Sequence, residues 1–172
     1  IDRHLTICYE LTYDMSFILE IADLLITMFT EIEGDGNNKI EKYLKNIIDA
    51  MLEKKFIAKT KRPIENIGEY FRRLVTHFIE REIDDYIEKL YKLSSTYKWL
   101  NFPGIHADYA DYQYRQKKDV YRAIEVLSDK FDKINWIGLN KYRELIMDIS
   151  MNYPEKVGPE LLKKSQKSLK EQ

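Results

Sequence analysis

The residues in this chain best suited to chemistry are an arginine and a histidine five positions apart, Arg72 and His77. A guanidinium can hold a phosphate through paired hydrogen bonds, and an imidazole beside it can move a proton or steady a transition state. Such a pair would suit cleavage at a phosphate group. On a continuous helix, however, the two side chains would point about 140° apart. They would converge only if the helix bent.

The pair lies in the segment Arg72-Arg-Leu-Val-Thr-His77, which resembles the Arg-x4-His motif of the HEPN family of all-α ribonucleases. The resemblance implies a metal-independent ribonuclease of a microbial defence or toxin system, with Arg72 and His77 as its catalytic residues. It also implies a site that is usually built across a dimer. Arg73 departs from the pattern, because many family members carry a small polar residue there. The alternative is a structural one, a histidine on a helix flank beside a pair of surface arginines.

A second segment resembles the calcium-binding loop of EF-hand proteins. Its ligand slots and its central aliphatic position would be taken by Glu33, Asp35, Asn37, Lys39 and Ile40. The slot that needs glycine for a sharp turn holds Asn38, and the slot that needs a bidentate glutamate holds Leu44. We therefore expect an ordinary turn between two helices, with a degenerate EF-hand-like module as the weaker alternative.

Three polar residues further along, His106, Asp108 and Asp111, could be taken for metal ligands. A zinc or iron site needs at least three convergent ligands and usually a second histidine. We therefore expect no metal and no cofactor. Asp108 is better explained as a carboxylate at the start of a helix, where it would oppose the positive end of the helix dipole.

A basic connector could contact the phosphates of RNA or an anionic lipid surface. Its charged residues are Lys54, Lys55, Lys59, Lys61 and Arg62. The alternative is a solvated loop whose lysines complement the negative C-terminal end of the preceding helix. The net charge of the whole chain is only −1, so nucleic-acid binding has no wider support from composition.

Tyrosines and glutamines are concentrated in one helical stretch, which makes it the candidate surface for a protein partner. The predicted partner-binding residues are Tyr109, Tyr112, Gln113, Tyr114 and Gln116. Tyrosine combines apolar area with a hydroxyl group, so a face of this kind suits an interface that water can also tolerate. The alternative is that the tyrosines cap the polar end of the helical core.

Long helices must position all of these residues, because glycine and proline number only 6 and 4. The clearest pattern is a heptad seam at Leu5, Cys8, Thr12, Met15, Leu19, Ala22, Ile26 and Phe29. A parallel row at Leu11, Ile18, Leu25 and Ile32 widens the apolar stripe. A stripe of this width predicts a helix that contacts at least two neighbours.

Helical spacing predicts helices over about 3–32, 40–52, 64–98, 107–133 and 140–152, followed by a short lysine-rich one. The third helix has an apolar stripe at Ile64, Ile67, Phe71, Leu74 and Phe78. Its register slips by one residue at 78/79. Because neither glycine nor proline marks a break there, we predict one long helix with a stutter. A turn is predicted over 135–140.

Together these patterns predict an all-α single domain over residues 1–172, a bundle of five to six helices, three of them long, packed mostly antiparallel. The lone cysteine, Cys8, and the lack of a long apolar run favour an intracellular, cytoplasmic protein without a membrane span. A first residue of Ile1 indicates a fragment of a larger chain. We expect a non-enzymatic scaffold or protein–protein interaction domain, able to form oligomers, whose partner is another protein chain or the rest of its parent.

Overall fold

A computed structural model describes residues 15–31, 35–53, 64–97, 100–130, 136–159 and 161–163. The regular elements within these ranges are all helices, which confirms the all-α class. The chain divides into two compact units, residues 1–101 and 102–172, and each has helices that pack on one another. The single domain over residues 1–172 stays a prediction.

The first unit contains α1 (Met15–Glu31), α2 (Asp35–Glu53), α3 (Ile64–Glu80) and α4 (Asp84–Thr96). Both α1 and α4 pack against α2 and α3. The apolar stripe predicted for α3 lies in this core, since Ile67, Phe71, Leu74 and Phe78 are at most 2% exposed. Removal of such side chains from water is the main force that holds the helices together.

The heptad seam of α1 faces this core. The seam positions Met15, Leu19, Ala22 and Ile26 are buried, and so are Ile18 and Leu25 of the parallel row. The width of the stripe is explained by the two neighbours of α1, because α2 and α3 both pack on it. The seam residues before Met15 lie outside the described part of the chain. Neither α1 nor any other helix in the described ranges is both long and apolar enough to cross a membrane.

The prediction of one continuous helix over 64–98 is wrong, because the chain turns between α3 and α4. The N–H of Ile83 donates to the carbonyl of Phe78 at 3.1 Å, and the N–H of Glu82 donates to that of Ile79 at 3.1 Å. These two bonds form the Schellman arrangement that ends many helices. Glu82 has a left-handed φ of 54°, at the position where glycine is usual. The slip in heptad register just before this turn therefore marks a helix end.

Polar contacts tie α2 to the chain at and after the turn. Arg81 donates from Nε to Glu41 Oε2 at 2.8 Å. Asp49 accepts hydrogen bonds from the Tyr86 hydroxyl at 2.8 Å and from the Lys89 ammonium at 2.6 Å. Pairs as exposed as these contribute about 1 kcal/mol or less each. These contacts contribute little to the stability of the core. Their main effect is on the direction that the chain takes at the turn.

The second unit contains α5 (Pro103–Arg115), α6 (Val120–Lys130) and α7 (Trp136–Asn152). α5 packs against α6 and α7, which also contact each other. Its core includes the fully buried rings of Tyr109 and Tyr142 and the small side chains of Ala107, Ala110 and Ala123. The small residues allow the backbones of neighbouring helices to approach closely.

The helix predicted over 107–133 is also wrong as a single element. The chain breaks before Val120, where Lys118 has a left-handed φ of 58° and Asp119 Oδ1 accepts the N–H of Arg122 at 2.9 Å. A carboxylate in this position caps the start of a helix. The turn predicted over 135–140 is helical from Trp136 onward. With both breaks the described ranges contain seven helices of 11 residues or more and a short helical stretch at 159 and 161–163, so the predicted count of five to six is not confirmed.

The loop that the EF-hand-like interpretation requires is not formed, because α2 begins at Asp35. The supposed ligand positions Asp35, Asn37 and Lys39 lie in the first turns of a regular helix, whose backbone does not curl around a cation. Among the residues that the structure describes, no group of three or more side chains could hold a metal ion.

Candidate functional site

An open pocket lies between α1 and α3, on the side of α3 that carries the Arg-x4-His motif. Its volume is about 230 Å³, and its lining residues are Ile26, Thr30, Glu69, Arg72, Arg73, Thr76, His77 and Glu80. The six lining residues from α3 span an arc of about 140° around the helix. Arg72 and His77 are the two ends of that arc. The structure thus brings the predicted pair to one pocket, but to its opposite edges.

His77 belongs to an aromatic cluster at the edge of the pocket. The side chain is 7% exposed, and its ring lies edge-on to Phe29 at 4.8 Å and to Phe78 at 5.5 Å between centroids. The guanidinium of Arg81 lies 4.8 Å above the ring of Phe29. His77 Nε2 is buried and has no hydrogen-bond partner among the described residues. An unsatisfied buried group of this kind costs about 1–3 kcal/mol of folding free energy.

The surroundings of His77 favour its neutral form. Burial lowers the pKa of the imidazole below its ordinary value of 6.5, and the nearby Arg81 guanidinium lowers it further, while Glu41 acts in the opposite direction. The ring is therefore neutral at pH 7. A neutral imidazole can accept a proton from a substrate, but it does not add a positive charge that would hold a phosphate.

The formal charges that line the pocket cancel. Arg72 and Arg73 are matched by Glu69 and Glu80, and Arg73 is also committed to Asp23, with 2.6 Å between its Nη1 and Oδ1. RNA is attracted by an excess of positive charge, which this lining does not provide. The basic connector that could add charge, Lys54, Lys55, Lys59, Lys61 and Arg62, lies outside the described residues.

A different face of α1 carries a second apolar row, Phe17, Ile21, Leu24 and Met28, called the α1 row below. Phe17 is 44% exposed and Leu24 is 60% exposed, while Ile21 and Met28 are half-buried. The four residues lie within about 60° of one another around the helix. Sequence reasoning missed this row, although it repeats the 4-3-4 spacing of the buried seam two residues later.

Most of the predicted partner-binding residues are buried. Tyr109, Tyr112 and Gln113 are 1%, 3% and 6% exposed, Tyr114 is half-buried and Gln116 is exposed. The rings of Tyr109 and Tyr112 lie 6.3 Å apart. Tyr109 and Tyr112 thus lie within the core of the second unit. A partner-binding role for the five residues stays a prediction.

Asp108 and Asp111 form ion pairs in this structure. The expectation that Asp108 starts a helix is wrong, because α5 begins at Pro103. Its Oδ1 accepts a 2.5 Å hydrogen bond from Lys141 Nζ, which also lies 3.8 Å from Asp111 Oδ2. The carboxylates thereby join α5 to α7. His106, the third supposed ligand, is 1% exposed.

Comparisons with known proteins add no relative, because no protein family, no curated protein and no solved structure matches this chain. The resemblance to HEPN ribonucleases thus depends on Arg72 and His77 alone. The function of the chain is therefore inferred from the pocket, the α1 row and the contacts around them.

Proposed function

We propose that this chain is a non-enzymatic helical interaction domain, a mostly antiparallel bundle that binds another protein chain through the α1 row. The single observation that supports this proposal is the exposure of Phe17 and Leu24, two large apolar side chains, on one face of a helix. Exposed apolar side chains that are grouped on one face, rather than scattered singly, mark protein-binding sites. The pocket, with its balanced charges, has no comparable preference for a substrate.

Burial of the α1 row would provide useful binding free energy. Complete burial of a leucine or phenylalanine side chain is worth about 1.5–3 kcal/mol. Since roughly half of each of Phe17 and Leu24 is already covered, docking would gain about 1 kcal/mol from each. Ile21 and Met28 add smaller amounts. A few such anchors on one helix face are the usual basis of recognition between helices.

The test compares the wild-type chain with a Phe17→Gln, Leu24→Gln double variant and with Tyr121→Gln as a matched control. Tyr121 is 70% exposed on the second unit, so the control also removes an exposed aromatic ring. Proteins that co-purify with each full chain from its native cell are quantified by mass spectrometry. We expect a partner that the wild type and the control retain and the double variant loses. A partner retained equally by all three would contradict the proposal.

One observation supports a second candidate function, the HEPN-like ribonuclease, since Arg72 and His77 both line the pocket. Under this candidate the wild-type chain degrades RNA in the presence of a metal chelator. His77→Ala and Arg72→Ala each reduce the rate by at least about a hundredfold, the lower end of the usual contribution of a general acid–base group. Arg115→Ala, an exposed arginine on the second unit, serves as the control. A wild-type chain that leaves RNA intact would exclude the ribonuclease.

A further inference from the structure

We infer that the α1 row receives a basic amphipathic helix of the partner protein, an inference that rests on the proposed function. The first support is the composition of α1 itself. Its seventeen residues, Met15–Glu31, contain no lysine or arginine. Its charged residues are all acidic, Glu20, Asp23 and Glu31. The charged side chains that a docked partner would meet on α1 are therefore all negative.

The acidic residues are placed where a docked helix would meet them. Glu20 and Glu31 fall on one edge of the α1 row, within about 70° of its centre line around the helix. Glu31 is exposed and Glu20 is half-buried. Asp23 lies further round, toward α3, and is paired with Arg73. By position around the helix, Glu20 and Glu31 form the rim that a partner on the α1 row would contact.

The spacing of the row suits a helix as its occupant. Residues at 4-3-4 intervals form the seam through which two helices interlock, and charges beside such a seam select the partner. From Phe17 to Met28 the row extends about 16 Å at 1.5 Å per residue. That length matches about three turns of a docked helix. On the docked helix, lysine or arginine residues beside the apolar anchors would face Glu20 and Glu31.

A second copy of this chain fits the row less well. Pairing α1 with α1 would bring two acidic helices together without a basic side chain from either. Like charges that face each other across an interface reduce affinity and exclude wrong partners. The charge pattern therefore disfavours a dimer in which two α1 rows meet, and it favours an occupant with basic residues beside its apolar face.

The test uses two synthetic helical peptides with identical leucine anchors, one flanked by lysines and the other by glutamates. Binding to the full chain is measured by fluorescence anisotropy at low and at high salt. We expect the lysine peptide to bind at least tenfold more tightly at low salt, and the ratio to shrink as salt screens the charges. Glu31→Lys should reduce that ratio at least threefold. Glu53→Lys, which reverses an exposed charge at the end of α2, should leave it unchanged.

The outcomes separate this inference from the proposed function. If both peptides bind equally well and the Phe17→Gln, Leu24→Gln variant loses both, the row binds helices but the charge inference is wrong. If neither peptide binds the folded wild-type chain, both the inference and the proposed function fail. A dimer of the chain that sedimentation detects, and that the same double variant abolishes, would identify a second copy as the occupant and overturn the basic helix.

Discussion

The ring of His77 is packed between Phe29 and Phe78, with one nitrogen buried and unpaired. A histidine in this environment fills space at the end of α3 and connects it to α1. The same ring lines the pocket that the ribonuclease candidate would use, at the edge opposite Arg72. In either role, burial of the ring makes the stability of the chain depend on pH.

We predict that His77 makes the chain less stable as the pH falls below about 6.5. Because burial lowers the pKa of His77 in the folded state, the unfolded chain binds the proton more readily. The contribution of His77 to stability is therefore complete above the unfolded pKa of 6.5 and is lost as the pH falls toward the folded pKa. Urea denaturation at several pH values should show a shallower decline for His77→Leu than for the wild type.

Two results would contradict this prediction. The first is an identical pH dependence of the free energy of unfolding in the wild type and in His77→Leu. The second is direct titration of the imidazole by nuclear magnetic resonance that places its folded pKa at or above the ordinary value. Such a value would show that the ring keeps its proton in the fold, contrary to the effect expected from burial.

A second prediction for individual residues concerns the ion pair between Lys141 and Asp108. The Asp108 side chain is 8% exposed, and that of Lys141 is 41% exposed. Lys141→Met keeps most of the apolar stem but removes the charge, so we expect a loss of about 1–2 kcal/mol in the free energy of unfolding, below the value for a fully buried pair. Glu125→Gln, on a carboxylate that is 67% exposed, should change it by less than about 0.5 kcal/mol. Equal effects of the two changes in chemical denaturation would contradict this.

At the scale of helices, the spacing of apolar residues predicted which helix faces are buried, but it did not predict where the helices end. The seam of α1 and the stripe of α3 could be predicted because burial repeats with the helical period. The ends of α3 and α5 could not, because Glu82 and Lys118 adopt left-handed backbone conformations in which glycine is the usual signal. Asp119 is of a residue type that commonly caps a helix, a signal that the prediction of one helix over 107–133 did not use.

Glycine at position 82 should stabilise the turn between α3 and α4. A residue other than glycine costs about 1–2 kcal/mol in the left-handed region, while glycine costs roughly 0.5–1 kcal/mol through the entropy of the unfolded chain. We expect Glu82→Gly to raise the free energy of unfolding by about 0.5–1 kcal/mol. The matched control Glu88→Gly, in the middle of α4, should lower it by about 1 kcal/mol. If both variants melt at lower temperature than the wild type, the prediction is wrong.

At the scale of the whole chain, function was hard to predict because exposure depends on which helix faces the neighbours cover. The tyrosines of α5 and the α1 row are both aromatic or apolar stretches at helical spacing. Only packing determined that Tyr109 is buried and Leu24 is exposed. The pocket likewise needs Ile26 and Thr30 from α1 beside α3, a pairing that no local pattern specifies.

The division into two units can be tested by changing one core at a time. Leu74 and Ile149 are both fully buried, in the first and in the second unit respectively, and truncation of such side chains to alanine costs about 2–5 kcal/mol. Because each unit has a core of its own, we expect Leu74→Ala to speed hydrogen exchange in α3 and α4 but not in α5, and Ile149→Ala to do the reverse. Equal loss of protection in all three helices would instead indicate that residues 1–172 unfold as the single domain that the sequence predicts.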